Sequence, residues 1–207
     1  MTGFFITFEG GEGSGKTTQI ALLHEKLAAH GLNVLVTREP GGTPLGDAVR
    51  AILMDPRRQM LPKAEVLLFS ASRAQLVEEV IRPHLAGGGI VICDRYADST
   101  YAYQGYGHGL DLSALRQLTA MATGGLVPDL TVYLAIDAAV GLARRSKAGH
   151  LTRLDALDLS FHQRVQEGYK ALIAEAPQRW ASVDADQPAE EVFAAVWEIV
   201  RVRLRMA

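Results

Sequence analysis

The apolar residues form short runs that alternate with longer segments of helical periodicity. The runs are rich in β-branched and aromatic side chains and stop at glycine or charged residues, which predicts buried strands. These strands are predicted at residues 3–8, 33–37, 90–93, 130–136 and 180–183. Apolar residues that recur every three or four positions predict helices at residues 16–30, 45–54, 62–85, 112–122, 158–175 and 188–205, with a further helix starting after residue 138.

The order of these elements predicts the fold class. A helix separates the first two strands and leaves no room for a hairpin, so they should run parallel as a βαβ unit. Continued alternation predicts a doubly wound α/β fold, in which helices cover both faces of a five-stranded parallel sheet. The chain has 207 residues and no visible repeat or linker, which predicts one domain over residues 1–207 with a small insertion at about 145–155.

Composition and charge narrow the class of protein further. Apolar residues make up 48% of the chain and charged residues 21%, as in ordinary globular domains. The net charge of −2 gives no general basic field, so nucleic acid is not an expected partner. No apolar run approaches the roughly eighteen residues of a membrane span, and the N-terminus lacks a signal-peptide pattern. We therefore expect a soluble, cytoplasmic protein with no membrane partner.

A glycine-rich loop follows the first predicted strand and precedes the first predicted helix. Its sequence, GGEGSGKT at residues 10–17, fits the pattern G-x-x-x-x-G-K-[ST]. Glycines let backbone N–H groups converge on phosphate oxygens, Lys16 can reach the β- and γ-phosphates, and Thr17 can offer a hydroxyl to Mg²⁺. The loop predicts binding of a nucleoside triphosphate with Mg²⁺. The expected contacts are Gly10, Gly11, Glu12, Gly13, Ser14, Gly15, Lys16, Thr17 and Thr18.

The phosphate loop alone does not identify what accepts the phosphoryl group. A GTP-dependent switch should contain N-K-x-D and D-x-x-G segments. The only asparagine is Asn33, and no aspartate is followed by glycine three residues later. The absence of these segments argues strongly against a GTP-dependent switch. A kinase for a small acceptor and a nucleotide-dependent regulatory ATPase stay open at this point.

Charged residues follow two predicted strands at the sheet edge where ligands of open α/β sheets bind. Asp94 could hold Mg²⁺, directly or through water, and Arg95 could bridge donor and acceptor phosphates. A buried pair between the two that ties strand to helix is the structural alternative. Arg38 ends the second strand and has the same two interpretations. Asp137 is a rival magnesium ligand, but we expect it to cap the helix that follows.

Five segments resemble the thymidylate kinase family. Residues 92–104, ICDRYADSTYAYQ, are similar to the signature segment of that family. The other segments, at residues 4–18, 37–44, 67–75 and 128–134, follow in the family's order and spacing. The resemblance covers essentially the whole chain. It implies transfer of the γ-phosphoryl group of MgATP to thymidine monophosphate (dTMP), giving dTDP and ADP as a step toward dTTP, and it implies a homodimer.

The resemblance also implies roles for residues that contact the acceptor. Arg38 and Arg95 would grip its phosphate, Phe69 would stack on thymine, and Arg73 would donate to a thymine carbonyl. Tyr103 would lie under the sugar and crowd a 2′-hydroxyl. Without the resemblance, helical spacing would make Phe69 a core residue. The implied dTMP contacts are Glu12, Arg38, Phe69, Arg73, Arg95, Ser99, Thr100, Tyr103 and Gln104.

The basic insertion fits the mobile lid of the family. Family members with an acidic residue in the phosphate loop, such as Glu12, tend to keep a catalytic arginine in the lid. Arg153 matches the best-defined lid arginine, whereas Arg144, Arg145 and Lys147 are alternatives for the cation that reaches the γ-phosphate. Solvated loop cations are the alternative interpretation. The expected catalytic residues are Lys16, Arg95, Arg38, Arg153 and Glu12, and the expected metal ligands are Thr17 and Asp94.

Overall fold

The computed structural model describes residues 3–147, 149 and 151–206. Its five strands form a single parallel sheet in the order β2-β3-β1-β4-β5. The strands are β1 (Phe4–Glu9), β2 (Val34–Arg38), β3 (Ile90–Asp94), β4 (Leu130–Ala135) and β5 (Trp180–Asp184). The predicted α/β class and the five-stranded parallel sheet are confirmed.

Helices connect the strands, mostly where the periodicity predicts them. They are α1 (Lys16–Ala29), α2 (Pro44–Met54), α3 (Pro62–Leu76), α4 (Arg82–Ala86), α5 (Ala97–Thr100), α6 (Leu112–Thr123), α7 (Ala138–Lys147), α8 (Leu159–Glu175) and α9 (Ala189–Arg203). A π-helical segment, Val77–Ile81, joins α3 to α4, and a second, Tyr101–Gly107, extends α5. Apolar periodicity does not predict this second helical stretch, because polar and aromatic residues interrupt it.

The position of the second strand differs from the simplest βαβ interpretation. β1 and β2 are parallel, but β3 lies between them and forms hydrogen bonds with both. The physical reason is burial. The first four residues of β3 are all buried, which suits a central strand, whereas β2 is largely half-buried or exposed and suits an edge.

Helices cover both faces of the sheet, as predicted. Adjacent residues of β1 point to opposite faces. Ile6 belongs to a buried cluster with Leu23 of α1 and Val196 of α9. Phe5 belongs to a cluster on the other face with Leu76 of α3. The central strands are therefore held between two apolar layers.

All five strands end at the same edge of the sheet because they are parallel. Glu9, Arg38 and Asp94 are the last residues of β1, β2 and β3, and Arg38 pairs in register with Asp94. The phosphate loop follows β1 directly, so it lies at this edge beside the end of β3. The fold thus places the predicted triphosphate site next to the predicted acceptor arginines.

Side-chain caps fix the starts of several helices. The hydroxyl of Thr43 accepts a hydrogen bond from the Gly46 N–H at the start of α2. The carboxylate of Asp137 accepts one from the Ala139 N–H, at 2.9 Å, at the start of α7. Asp137 is therefore a capping residue, as predicted. Across the described ranges, every helix is too short or too polar to cross a membrane.

Candidate active site

A cavity of about 450 Å³ opens at the carboxyl edge of the sheet. The phosphate loop forms one side, and residues that follow β2 and β3 form the other. Predicted residues in its lining are Glu12, Gly13, Ser14, Gly15, Lys16, Thr17, Thr18, Arg38, Phe69, Asp94, Arg95, Ser99, Thr100, Tyr103 and Gln104. Of the predicted site residues in the described part of the chain, Gly10, Gly11, Arg73 and Arg153 lie outside this lining. The fold therefore brings most of the predicted site to one place.

The phosphate loop is a tight turn that only glycine can form at one position. Gly13 has a φ of +65°, in the left-handed region that favours glycine. A Cβ atom there would lie 2.1 Å from the carbonyl oxygen of Gly141, which approaches from α7. The loop is thus packed against α7.

Lys16 begins α1 and folds back over the loop. Its ammonium nitrogen Nζ donates to the carbonyl oxygens of Gly10 at 3.1 Å and Gly11 at 2.9 Å. Burial lowers the pKa of Lys16 to about 8, and repulsion from the Arg95 guanidinium acts in the same direction. Lys16 is still mainly protonated at pH 7, so it brings one positive charge to the donor side of the cavity.

Arg95 links the end of β3 to the phosphate loop. Its backbone φ of +68° is in the left-handed region, where a non-glycine residue is strained by about 1–3 kcal/mol. Its guanidinium donates to the Gly10 carbonyl at 3.1 Å and to Glu12 at 2.9 Å, and it lies 4.9 Å from the centre of the Tyr103 ring. In the described part of the chain, no ion pair joins it to Asp94. The simple Asp94–Arg95 pair is therefore not what holds this residue.

Glu12 forms hydrogen bonds with both Arg95 and Tyr103. One carboxylate oxygen accepts hydrogen bonds from Arg95 and from the Tyr103 hydroxyl, the latter at 2.7 Å. Burial alone would raise the pKa of Glu12. The charges of Arg95 and Lys16 outweigh burial and lower this pKa to about 2. The acidic residue in the loop is therefore ionised, and it orients an arginine and a tyrosine that face the cavity.

Glu9 lies behind the cavity and supports Ser99 in its lining, a role that the sequence analysis missed. Its fully buried carboxylate accepts hydrogen bonds from the Tyr96 N–H at 2.8 Å, the Ser99 hydroxyl at 2.6 Å and the Tyr169 hydroxyl at 2.7 Å. Burial and the neighbouring charge of Asp98 raise the pKa of Glu9 to about 7. An acid at the end of an otherwise apolar strand is the sequence signal that could have found it.

Asp94 lines the cavity together with residues of the phosphate loop. Its Oδ1 atom is buried and has no hydrogen-bond partner among the described residues. Asp94 and Thr17 line the same cavity, and carboxylate and hydroxyl oxygens are the ligand types that Mg²⁺ prefers. These two residues therefore fit a magnesium ion bound with a triphosphate. Asp137 is already engaged as a helix cap and is a poorer candidate.

The predicted base-binding residues divide into two groups. Phe69 is half-buried and lines the cavity. Arg73 is only 1% exposed, and its guanidinium donates to Glu39 at 2.8 Å and to the Thr100 hydroxyl at 3.0 Å. Its Nη1 atom has no hydrogen-bond partner within the described ranges. Arg73 therefore supports the wall of the cavity through Thr100, and its Nη1 atom can donate a further hydrogen bond.

Of the four candidate lid cations, Arg144 and Arg145 line the cavity, whereas Lys147 and Arg153 do not. Arg144 donates to the Ala185 carbonyl at 2.8 Å, and Arg145 donates to Asp155 at 3.1 Å. Arg153 instead donates to the Leu53 carbonyl at 3.2 Å and forms an ion pair with Glu65. The geometry therefore places Arg144 and Arg145, rather than Arg153, beside the loop. Residues 148 and 150 of the predicted lid lie outside the described residues.

Arg50 adds a cation that the sequence analysis did not single out. It lies in α2, lines the cavity and donates to the Pro40 carbonyl at 3.0 Å. Burial and the charge of Arg38 lower its pKa, and both guanidinium groups belong to residues that line the same cavity. Arg38 itself pairs at 3.4 Å with Asp47 and has a 55% exposed side chain. With Arg95, these residues give the second side of the cavity a strongly cationic surface.

Comparison with known proteins gives a consistent result. The sequence model described as thymidylate kinase matches residues 8–196. Thymidylate kinase of Roseiflexus sp. (strain RS-1) is 55% identical, and the match covers 95% of this chain and 92% of that protein. Thymidylate kinase of Deinococcus radiodurans is 54% identical over 97% of this chain and 98% of that protein. The crystal structure of thymidylate kinase from Ehrlichia chaffeensis is 34% identical with a TM-score of 0.81, covering 97% and 100% of the two chains.

Proposed function

The chain belongs to the thymidylate kinase family, and we propose that the cavity at its sheet edge holds both substrates of the reaction end to end. The chain is an ATP-dependent nucleoside monophosphate kinase that phosphorylates dTMP. The observation that carries the proposal is the continuity of the cavity, which runs from Lys16 and Thr17 in the phosphate loop to Arg95 and Tyr103 on the opposite side.

The phosphate-loop side of the cavity receives ATP. Backbone N–H groups of the loop and the first turn of α1 face the phosphates, and Lys16 places its ammonium near the β- and γ-oxygens. Thr17 and Asp94 would hold Mg²⁺, which supplies positive charge to the triphosphate oxygens when it is bound. Oδ1 of Asp94 supports this assignment, because it is buried and has no hydrogen-bond partner in the part of the chain that the structure describes.

The opposite side receives dTMP. Arg38 and Arg95 grip its 5′-phosphate, and the location of Arg50 in the same cationic surface adds a third donor. Phe69 offers a face on which the thymine ring stacks, with Ser99, Thr100 and Gln104 around it. Tyr103 lies under the deoxyribose, where its ring would crowd a ribose 2′-oxygen.

This chain needs no general base for the transfer. The dTMP phosphate has a second pKa near 6, so it is largely a dianion at neutral pH and attacks the γ-phosphorus once it is aligned. The bond from the γ-phosphorus to the β,γ-bridging oxygen breaks, and a bond to the acceptor oxygen forms. Lys16 and Arg95 neutralise the charge on the transferring oxygens, and Glu12 holds Arg95 in place. Catalysis is therefore positioning and charge stabilisation.

Closure, assembly and location complete the proposal. Residues 145–155 act as a lid that excludes water from the donor side, and Arg145 of this segment and the preceding Arg144 bring positive charge to the cavity. Two copies of the chain associate as a homodimer. Leu67 of α3 and Met121 of α6 support this, because they are apolar side chains exposed on neighbouring helices. The cytoplasm is the expected location.

A bisubstrate inhibitor tests the end-to-end arrangement. An analogue that joins adenosine and thymidine through five phosphates should inhibit competitively against both ATP and dTMP, since it would fill both sides of the cavity. The matched control joins two adenosines through the same phosphates and should bind at least about tenfold more weakly. Competition with only one substrate, measured by steady-state kinetics, would contradict a shared cavity.

A further inference from the structure

A buried carboxylate, Glu65 of α3, connects the base side of the cavity to the predicted lid. The residue has 0% exposure. Its Oε1 atom accepts a hydrogen bond of 2.6 Å from the Gln104 side-chain nitrogen Nε2, and the His108 Nε2 atom lies 3.5 Å from the same oxygen. Its Oε2 atom forms an ion pair with Arg153. Neither the phosphoryl transfer nor the motifs in the sequence account for Glu65.

The surroundings of Glu65 decide its protonation state. Burial alone would raise the pKa of this carboxyl group. The charge of Arg153, the hydrogen bonds from Arg153 and Gln104 and the nearby His108 ring outweigh burial, and the pKa is lowered. Glu65 is therefore an ionised carboxylate, which accepts hydrogen bonds and has no proton to donate.

The ionised state fixes the orientation of the neighbouring amide. A glutamine side chain has a donor end and an acceptor end, and only the donor end can face a carboxylate. Gln104 must therefore give its nitrogen to Glu65. Gln104 also lines the cavity, and within the described ranges no donor reaches its carbonyl oxygen Oε1. The amide is thus held with its acceptor end available to the cavity.

We propose that Glu65 is a positioning residue that sets base specificity by holding the Gln104 amide in this orientation. The inference rests on the proposed base pocket. Thymine carries an N–H group at ring position 3, which can donate to a carbonyl oxygen. Cytosine has an unprotonated ring nitrogen there, which would face the same oxygen lone pair to lone pair. Arg153 then acts through Glu65, because its charge keeps that carboxylate ionised.

Glu65→Gln tests this role, because an amide at position 65 can donate as well as accept and leaves Gln104 free to rotate. We expect the ratio of kcat/KM for dTMP to kcat/KM for dCMP to fall by at least about tenfold. The KM for ATP should change by less than about twofold. An unchanged KM for ATP shows that the variant has lost base specificity and not the structure of the whole active site. Glu78→Gln is the matched control, since Glu78 follows α3 in the same continuous helix and forms an exposed pair with Arg82. It should leave the ratio unchanged.

A second variant distinguishes a failure of the proposed base pocket from a failure of the proposed role of Glu65. Gln104→Leu removes the amide and should also lower the dTMP-to-dCMP ratio. If Gln104→Leu leaves this ratio unchanged, the proposed base pocket and the role of Glu65 are both overturned. If Gln104→Leu lowers it and Glu65→Gln does not, only the role of Glu65 is overturned. Should circular dichroism show that Glu65→Gln is unfolded, the double variant Glu65→Gln/Arg153→Gln, which leaves no buried unpaired charge, takes its place with the same expected results.

Discussion

Lys16→Ala is expected to lower kcat by at least about a hundredfold while the chain stays folded. The ammonium lies inside the phosphate loop, and its charge balances oxygens that become more negative as the γ-phosphoryl group moves. Removal of one such partner costs about 3–4 kcal/mol of transition-state stabilisation. The lost native contacts are hydrogen bonds to two carbonyls and the Ser14 hydroxyl within the loop itself, so the core should persist. ADP release measures kcat, and circular dichroism measures folding.

A second lysine in the same helix provides the control. Lys26 lies on the exposed side of α1, away from the cavity. Its Nζ atom is 5.4 Å from the centre of the Trp197 ring. Lys26→Ala should leave kcat within about twofold of wild type, because the side chain is far from the cavity. A surface substitution of this kind rarely changes the free energy of unfolding by more than about 0.5 kcal/mol. Near-normal turnover in Lys16→Ala would show that the triphosphate does not bind in this loop.

Arg95→Ala is expected to lower kcat/KM for dTMP by at least about a hundredfold. Arg95 brings charge to the junction of the two substrates, and charge-assisted contacts to a phosphate are strong in such a site. Arg95→Lys should recover only a small part of the loss. An ammonium is a point charge and cannot reproduce the fork that reaches Gly10 and Glu12 together. Steady-state kinetics at varied dTMP and saturating ATP measure both variants.

A comparison of kinetics with thermal stability shows whether Arg95 is catalytic or only structural. Arg116 provides the control, because it forms an exposed ion pair with Glu175 away from the cavity. Arg116→Ala should change neither kcat/KM nor stability appreciably. If Arg95→Ala lowers the thermal unfolding temperature but retains normal kinetics, then Arg95 serves only to tie β3 to the phosphate loop.

The parts of the fold that local pattern controls could be predicted from the sequence. Strands and helices follow from apolar periodicity, and their ends match the predictions to within a few residues because glycines and capping residues mark them. The neighbour of β2 depends instead on which strand is buried on both faces. The 42% exposure of Val36 marks β2 as an edge strand, and that is a property of packing.

The site divides in the same way. The phosphate loop is recognisable because its groups lie within a few consecutive residues, where backbone geometry fixes them. Glu9 and Glu65 act on residues far along the chain. Glu9 accepts from Tyr169, 160 residues away, and Glu65 pairs with Arg153, 88 residues away. Such contacts depend on how strands and helices pack, so spacing in the sequence does not reveal them.

Acceptor preference is the most direct test of a cavity that holds ATP and dTMP end to end. The measurement is the initial rate of ADP release from MgATP with each of dTMP, dUMP, dCMP, dGMP and dAMP, and with no acceptor. The account predicts the highest kcat/KM for dTMP and little ADP release without an acceptor, because the reaction needs the second phosphate aligned against the first. A higher kcat/KM for another monophosphate, or ADP release that is the same with and without dTMP, would contradict it.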